Sequence, residues 1–181
     1  MDVPVALMGL IGVVVGGVIA LLSSFLQVLR SAKSERVQNL LETRRDAYIA
    51  YAEIVKEEAR LARRVAAFHG VVGSRIPISP EAGRGLAREI SERRSRALEG
   101  LLLVGTTSVV ECARIWHHAV WKAENYVIES SEINAADFES LFARSGKARE
   151  EFYHQARKDL LVRGKVSALS DEQLEKRWAQ L

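Results

Sequence analysis

Residues 34–68, SERVQNLLETRRDAYIAYAEIVKEEARLARRVAAF, decide the fold of this chain. The segment contains neither proline nor glycine, so a helix can run through it without interruption. Apolar side chains recur every seven residues along two neighbouring edges, which are Leu40, Ala47, Ile54, Leu61 and Phe68, and Leu41, Tyr48, Val55 and Ala62. A stripe about 100° wide is broader than the seam of a dimeric coiled coil. The pattern therefore predicts a helix that several others cover, as in a bundle.

Two charged side chains interrupt this apolar stripe. Arg44 and Glu58 both fall within it, too far apart along one helix to reach each other. Because an unpaired buried charge is costly, each is predicted to pair with a residue of another helix or to lie at an end of the bundle.

Upstream, Val3–Leu29 reads VPVALMGLIGVVVGGVIALLSSFLQVL and contains no ionisable side chain. About 20 apolar residues suffice for a helix to cross a bilayer. A cleaved signal peptide is less favoured, since no basic residue precedes the run, and a soluble core helix rarely stays apolar all round. The sequence predicts a transmembrane anchor over residues 1–30 and a helical domain over residues 31–181.

Small side chains recur every four residues within this anchor. They form one ridge, Gly12, Gly16, Ala20 and Ser24. Such a ridge lets two membrane helices approach closely and pack, which predicts a homo-oligomer formed through the anchor. The alternative is that glycine is simply common in membrane helices.

Basic residues close to the anchor predict its orientation. Arg30, Lys33 and Arg36 follow the apolar run, and no Lys or Arg precedes it. The positive-inside rule then puts the N-terminus outside and residues 31–181 in the cytoplasm, as a single-pass protein of the cell membrane. The same residues attract anionic headgroups of the bilayer at about 1 kcal/mol each.

Glycine and proline mark the end of the long helix. The segment His69–Ser79 contains two glycines and Pro77, which predict a loop. Ser79 as N-cap, with Pro80 at the first helical position, predicts the start of a second helix. Gly105 predicts its end or a kink in a continuous helix, and Ser108 with Glu111 has capping-box spacing for a third helix.

The third helix carries a main apolar stripe and a second, weaker one. The second stripe is Val110, His117, Trp121 and Ile128. Either two helices cover the third helix, which we favour, or one covers it and the second stripe is an exposed partner site.

The last third of the chain contains two further predicted helices. Asn134 with Asp137 predicts the cap of a fourth helix that runs to about Arg163 and ends at Gly164. A short helix from Ser170 is either a docking peptide or folds back on the bundle. Its apolar face is Leu174, Trp178 and Leu181. The predicted fold is all-α: a transmembrane helix, an antiparallel four-helix-type bundle and a short C-terminal helix.

Composition argues against several classes of protein. Lys and Arg total 26 and Asp and Glu total 23, a net charge of +3, which is too balanced for a dedicated nucleic-acid binder. Cys112 is the only cysteine, so no disulfide can form within the chain, and it is expected to pack as a small apolar side chain.

The sequence contains no recognisable catalytic or cofactor motif. A di-iron bundle needs two Glu-x-x-His motifs, and only Glu151 with His154 has that spacing. No glycine-rich phosphate loop, Gly-x-Ser-x-Gly elbow or His-Glu-x-x-His is present. We therefore expect no metal, no cofactor and no enzymatic activity.

Three segments together carry a family likeness. RRDAYIAYAEIV (44–55), LLLVGTTSVVECA (101–113) and FYHQARKDLLV (152–162) follow a glycine-rich anchor, and the chain resembles small single-pass membrane proteins common in actinobacteria. The resemblance implies a membrane anchor with a helical cytoplasmic domain and no assigned activity.

Three functions are consistent with these expectations. The first is a membrane-anchored interaction or scaffold protein that docks an unknown cytoplasmic protein. The second is a sensor whose bundle binds a small ligand among Tyr48, Tyr51, Trp116 and Phe152. The third, a phage-type envelope or lysis accessory role, would require the large domain outside the membrane.

Overall fold

A computed structural model describes residues 3–73, 76–130 and 132–162, with side chains from Glu35 onward. Four helices make up this part of the chain: α1 (Val3–Phe68), α2 (Pro80–Val104), α3 (Thr107–Glu129) and α4 (Ala135–Asp159). No strand occurs among these residues, so the all-α prediction is confirmed. The chain divides into two units, residues 1–42 and 43–181, and the bundle lies in the second.

Several predictions concern residues outside this description. The side chains of the predicted anchor lie outside it, including Gly12, Gly16, Ala20, Ser24, Arg30 and Lys33. The C-terminal residues Leu174, Trp178 and Leu181 also lie outside the described residues. Arg36 is described, and its side chain is exposed. Within the described part of the chain, no helix is sufficiently long and apolar to cross a membrane.

Two of the predicted helix starts are confirmed. Ser79 caps α2, where its hydroxyl accepts a hydrogen bond from the Ala82 amide. Asn134 caps α4, and its side-chain oxygen accepts from the amides of Ala136 at 2.8 Å and Asp137 at 3.3 Å. Each cap satisfies amides that the first helical turn leaves without partners.

Two other boundaries differ from prediction. The chain does break at Gly105, but α3 begins at Thr107 with Thr106 as N-cap, so the predicted capping box at Ser108 is wrong. The structure places Ser108 and Glu111 inside the helix, where they cannot cap it.

The predicted end of α4 at Arg163 is also wrong, because the helix stops at Asp159. Leu161 adopts a left-handed conformation with φ of 59°, and the Val162 amide donates to the Arg157 carbonyl at 2.8 Å. A left-handed residue closes the last turn in this way without glycine.

Two apolar clusters form the core of the bundle. The first is centred on Phe152 of α4, whose ring centroid lies 5.3 Å from that of Trp116 and 6.4 Å from that of Tyr48. The second gathers around Val65 of α1 and Phe138 of α4. The predicted stripe of α1 is buried at Tyr48, Val55, Leu61 and Ala62, whereas Leu40 and Phe68 are exposed. Phe68 is the last residue of α1, where coverage by other helices ends.

Candidate functional site

Both charged residues of the α1 stripe pair with other helices, as predicted. The Arg44 guanidinium donates to the Val104 carbonyl at 2.7 Å and to the Asp159 carboxylate at 3.2 Å. The Tyr48 hydroxyl donates to the same carboxylate, and burial, with Asp159 second, raises the pKa of Tyr48. These contacts join α1 to the ends of α2 and α4, which is a structural role.

Glu58 has a different environment, because a buried acid and two basic side chains surround it. His117 Nε2 lies 3.3 Å from Glu58 Oε1, and Arg94 Nε lies 3.6 Å from Glu58 Oε2. The Glu58 side chain lies between the two apolar clusters and is 4% exposed. A charge removed from water to this extent needs several partners.

Glu124 of α3 is the second buried acid at this position, with 6% exposure. Burial, followed by the nearby Glu58 carboxylate, raises the pKa of Glu124 to about 8, and Arg94 opposes that rise. Two carboxyl groups that approach closely in a poorly solvated place do not both ionise readily. Near pH 7 the Glu124 carboxyl group therefore mostly keeps its proton.

Three polar atoms of this group have no hydrogen-bond partner among the described residues, although each is fully buried. They are Glu58 Oε2, Arg94 Nε and His117 Nε2. The ion-pair distances above bring them near each other without the alignment that a hydrogen bond requires. Buried polar atoms are usually satisfied, and exceptions are found at functional positions.

These atoms line a pocket of about 380 Å³ between α1, α2 and α3, which we call the acid pocket. Its inner end holds Glu58, Arg94, His117 and Glu124. Ala87 and Ile128 provide apolar wall, and the mouth carries Trp121, which is 44% exposed. Arg84 and Glu129 also lie at the mouth and neutralise each other, with Nε to Oε1 at 3.0 Å. The acid pocket combines buried acids, an apolar wall and a partly exposed tryptophan on whose ring His118 stacks.

The second stripe of α3 borders this pocket. His117, Trp121 and Ile128 line it together with residues of α2, so the stripe is covered in part and opens to solvent at Trp121. Sequence reasoning overlooked Glu124, which lies one heptad after His117 on the same edge of the helix. The signal that could have revealed Glu124 is a carboxyl group within an apolar stripe, which is the same signal that marks Glu58.

The aromatic residues that the sequence suggested as a ligand site lie in the core of the bundle instead. Tyr48, Tyr51, Trp116 and Phe152 are buried and pack against one another in the first cluster. The Tyr51 hydroxyl is satisfied there by the Ala113 carbonyl at 3.0 Å. These rings form the core, and the acid pocket lies beside them.

No protein-family model, curated protein or solved structure matches this chain. The resemblance to actinobacterial single-pass proteins accordingly stays a prediction. The three segments that carry it nevertheless meet in the bundle, since Arg44, Val104 and Asp159 belong one to each.

Glu151 and Cys112 are two further residues whose side chains could bind a metal or act as a nucleophile. Glu151 accepts a hydrogen bond from Gln155 at 2.7 Å, and no group of three His, Cys, Asp or Glu that could hold a metal occurs among the described residues. Cys112 is half-buried against the first cluster, and burial raises the pKa of its thiol. A thiol with a raised pKa is a poor nucleophile, which agrees with its packing role.

Proposed function

We propose that this protein is a membrane-tethered helical domain that binds a small primary amine and has no catalytic activity. The observation that carries the proposal is the acid pocket, where the buried Glu58 carboxylate presents Oε2, an acceptor without a hydrogen-bond partner among the described residues, beside the buried carboxyl group of Glu124. Such atoms cost free energy unless a ligand satisfies them. The sensor hypothesis is retained, with its site in the acid pocket.

A primary amine matches the chemistry of the inner end of the pocket. An ammonium group offers three donors, which can reach the Glu58 carboxylate, and one positive charge, which can take the place of the proton on Glu124. Ala87 and Ile128 would contact an apolar body, and the exposed face of Trp121 favours a cation entering past it.

The expected result is that phenethylamine binds the full chain in a non-ionic detergent, with release of a proton. Glu124 must lose its proton to pair with the ammonium, so affinity rises as the pH approaches about 8. The other titratable or charged groups that line the pocket with Glu124 are Glu58, Arg84, Arg88, Arg94, His117 and Glu129. Isothermal titration calorimetry in two buffers of different ionisation enthalpy measures both the affinity and the proton release.

Adjacent glutamates give a matched pair of variants for this titration. Glu58→Gln should weaken phenethylamine by about tenfold or more, which is about 1.4 kcal/mol. Glu57→Gln, whose side chain pairs with Arg93 at 2.8 Å outside the pocket, should leave the affinity within about twofold. Equal binding of phenylacetate, or equal losses in the two variants, would contradict an amine site.

The tether and its orientation form the second part of the proposal. Support comes from the uncharged run Val3–Leu29 and from Arg30, Lys33 and Arg36 directly after it. We propose that residues 31–181 face the cytoplasm and that the Gly12–Ser24 ridge lets two anchors associate.

Reporter fusions after Leu181 test this orientation. A reporter that fluoresces only in the cytoplasm should give signal, and one that is active only outside the cell should give none. The reverse result would reject the orientation and favour the envelope or lysis role. Signal from the cytoplasmic reporter in the soluble fraction after cell breakage would reject the tether.

Docking of a cytoplasmic protein is the second candidate function, and exposed apolar side chains favour it. Leu103 near the end of α2 is 85% exposed, and Ile115 of α3 is also exposed. A partner that covered these side chains would remove their apolar surface from water, which favours association. A scaffold needs no small ligand, so the absence of phenethylamine binding together with retained membrane attachment would favour this function.

A further inference from the structure

A second cavity lies on the opposite side of α1, between α1 and α4, and its chemistry differs from that of the acid pocket. This basic groove has a volume of about 430 Å³ and a floor that includes Trp116, Phe142 and Ala59. Trp116 is buried and belongs to the first core cluster, so the floor is fixed by packing. A rigid aromatic floor can hold a planar apolar group without rearrangement.

Four cationic side chains surround this floor, and the described residues that line the groove include no acid. They are Lys56, Arg60 and Arg63 of α1 and Arg149 of α4. Arg63 lies over the Phe142 ring at 5.1 Å from its centroid, and Lys56 Nζ lies 5.5 Å from the centroid of the Tyr153 ring. Lys56 and Arg63 thus lie against aromatic rings, and Arg60 Nε donates to the Lys56 carbonyl at 3.3 Å. Among the described lining residues, none of the four cations has a carboxylate partner. Convergent positive charge above an apolar floor selects an apolar anion.

Gly146 of α4 lines the groove and leaves open space at its Cβ position. A Cβ atom built at Gly146 would meet no other atom within 4 Å, although the residue lines the groove and lies within a helix. Glycine is unfavourable in the interior of a helix. At this position it leaves space that a larger side chain would fill.

We propose that the basic groove is a second ligand site, which takes a small anion with a planar apolar body, of the aromatic carboxylate class. The ring would lie on the floor of the groove beside Phe142, whose face Arg63 covers, and the carboxylate would accept hydrogen bonds from Arg63 and Arg149. This site is separate from the acid pocket, since none of its lining residues is shared with that pocket.

Calorimetric titration of the full chain with 1-naphthoate tests the proposal. Two comparison compounds separate the two parts of the ligand: 1-naphthylmethanol has the same ring without charge, and acetate has the charge without the ring. We expect 1-naphthoate to bind at least about tenfold more tightly than either. Equal affinity for the alcohol would overturn the role of the cations, and equal affinity for acetate would overturn the role of the floor.

Two variants locate the binding within the chain. Gly146→Leu fills the groove without removing charge, and we expect it to weaken naphthoate affinity by about tenfold or more. Arg149→Gln removes one cation, and we expect it to weaken the affinity by about threefold to tenfold. The controls are Gly100→Leu, also in a helix with open space around it, and Arg96→Gln, an exposed cation of α2 outside both sites.

Unchanged affinity in Gly146→Leu, with circular dichroism showing a folded protein, would place the ligand elsewhere and overturn the proposal. Glu58→Gln should leave naphthoate binding unchanged, so this proposal and the amine site can fail independently.

Discussion

Replacing Phe152 with alanine should lower the free energy of unfolding by about 3–5 kcal/mol. Phe152 has no exposed surface, and its ring contacts those of Tyr48, Tyr51 and Trp116, so the first cluster depends on it. Alanine would leave a cavity bordered by rigid aromatic side chains, which cannot collapse to fill it. Chemical denaturation followed by circular dichroism at 222 nm measures the change.

Phe68 gives the matched control for this substitution. It is the same residue type in a helix, but it is 54% exposed at the end of α1. Phe68→Ala should therefore cost about 1 kcal/mol or less, in line with partial burial. Similar losses in the two variants would show that α4 does not pack on α1 as described.

The second large effect is on the pH dependence of stability and concerns Glu124. Because its pKa is raised from 4.5 to about 8, the folded protein binds this proton more tightly than the unfolded chain does. Stability from this group is present below pH 4.5 and is lost as the pH rises to about 8. Glu124→Gln cannot ionise, so it should melt close to the native protein at pH 5 and higher at pH 9, by on the order of 5 °C.

Glu129→Gln on the same helix is the control for this experiment. Glu129 pairs with Arg84, which lowers its pKa, so any contribution from it is present above its ordinary pKa and is lost in acid. Its replacement should leave the difference between pH 5 and pH 9 unchanged. If Glu124→Gln kept the native pH dependence, the pKa of Glu124 would not be raised in the folded protein.

Both phenethylamine affinity and the pH dependence of stability depend on Glu124. A variant at Glu124 that gains stability at pH 9 and loses phenethylamine binding would indicate a site whose acids are kept for a ligand at the cost of stability. Gain of stability without loss of binding would separate the buried acid pair from ligand recognition.

Local features of this fold were predictable because the interactions that produce them span only a few residues. Ser79 and Asn134 cap helices through amides two or three positions away, and the apolar period of residues 34–68 required a bundle. The need of Arg44 and Glu58 for partners was equally predictable, since it follows from burial alone. By contrast, the end of α4 depended on a left-handed Leu161, for which the sequence carries no glycine signal.

The sequence by itself therefore determined the helical class, most of the helix starts and the presence of buried charge. Only the tertiary structure decided which residues meet, since the register between helices depends on packing over the whole bundle. Asp159 reaches Arg44 across 115 positions, and Glu124 reaches Glu58 only because α3 presents that edge to α1. The acid pocket and the basic groove are properties of this register, so no local pattern could reveal them.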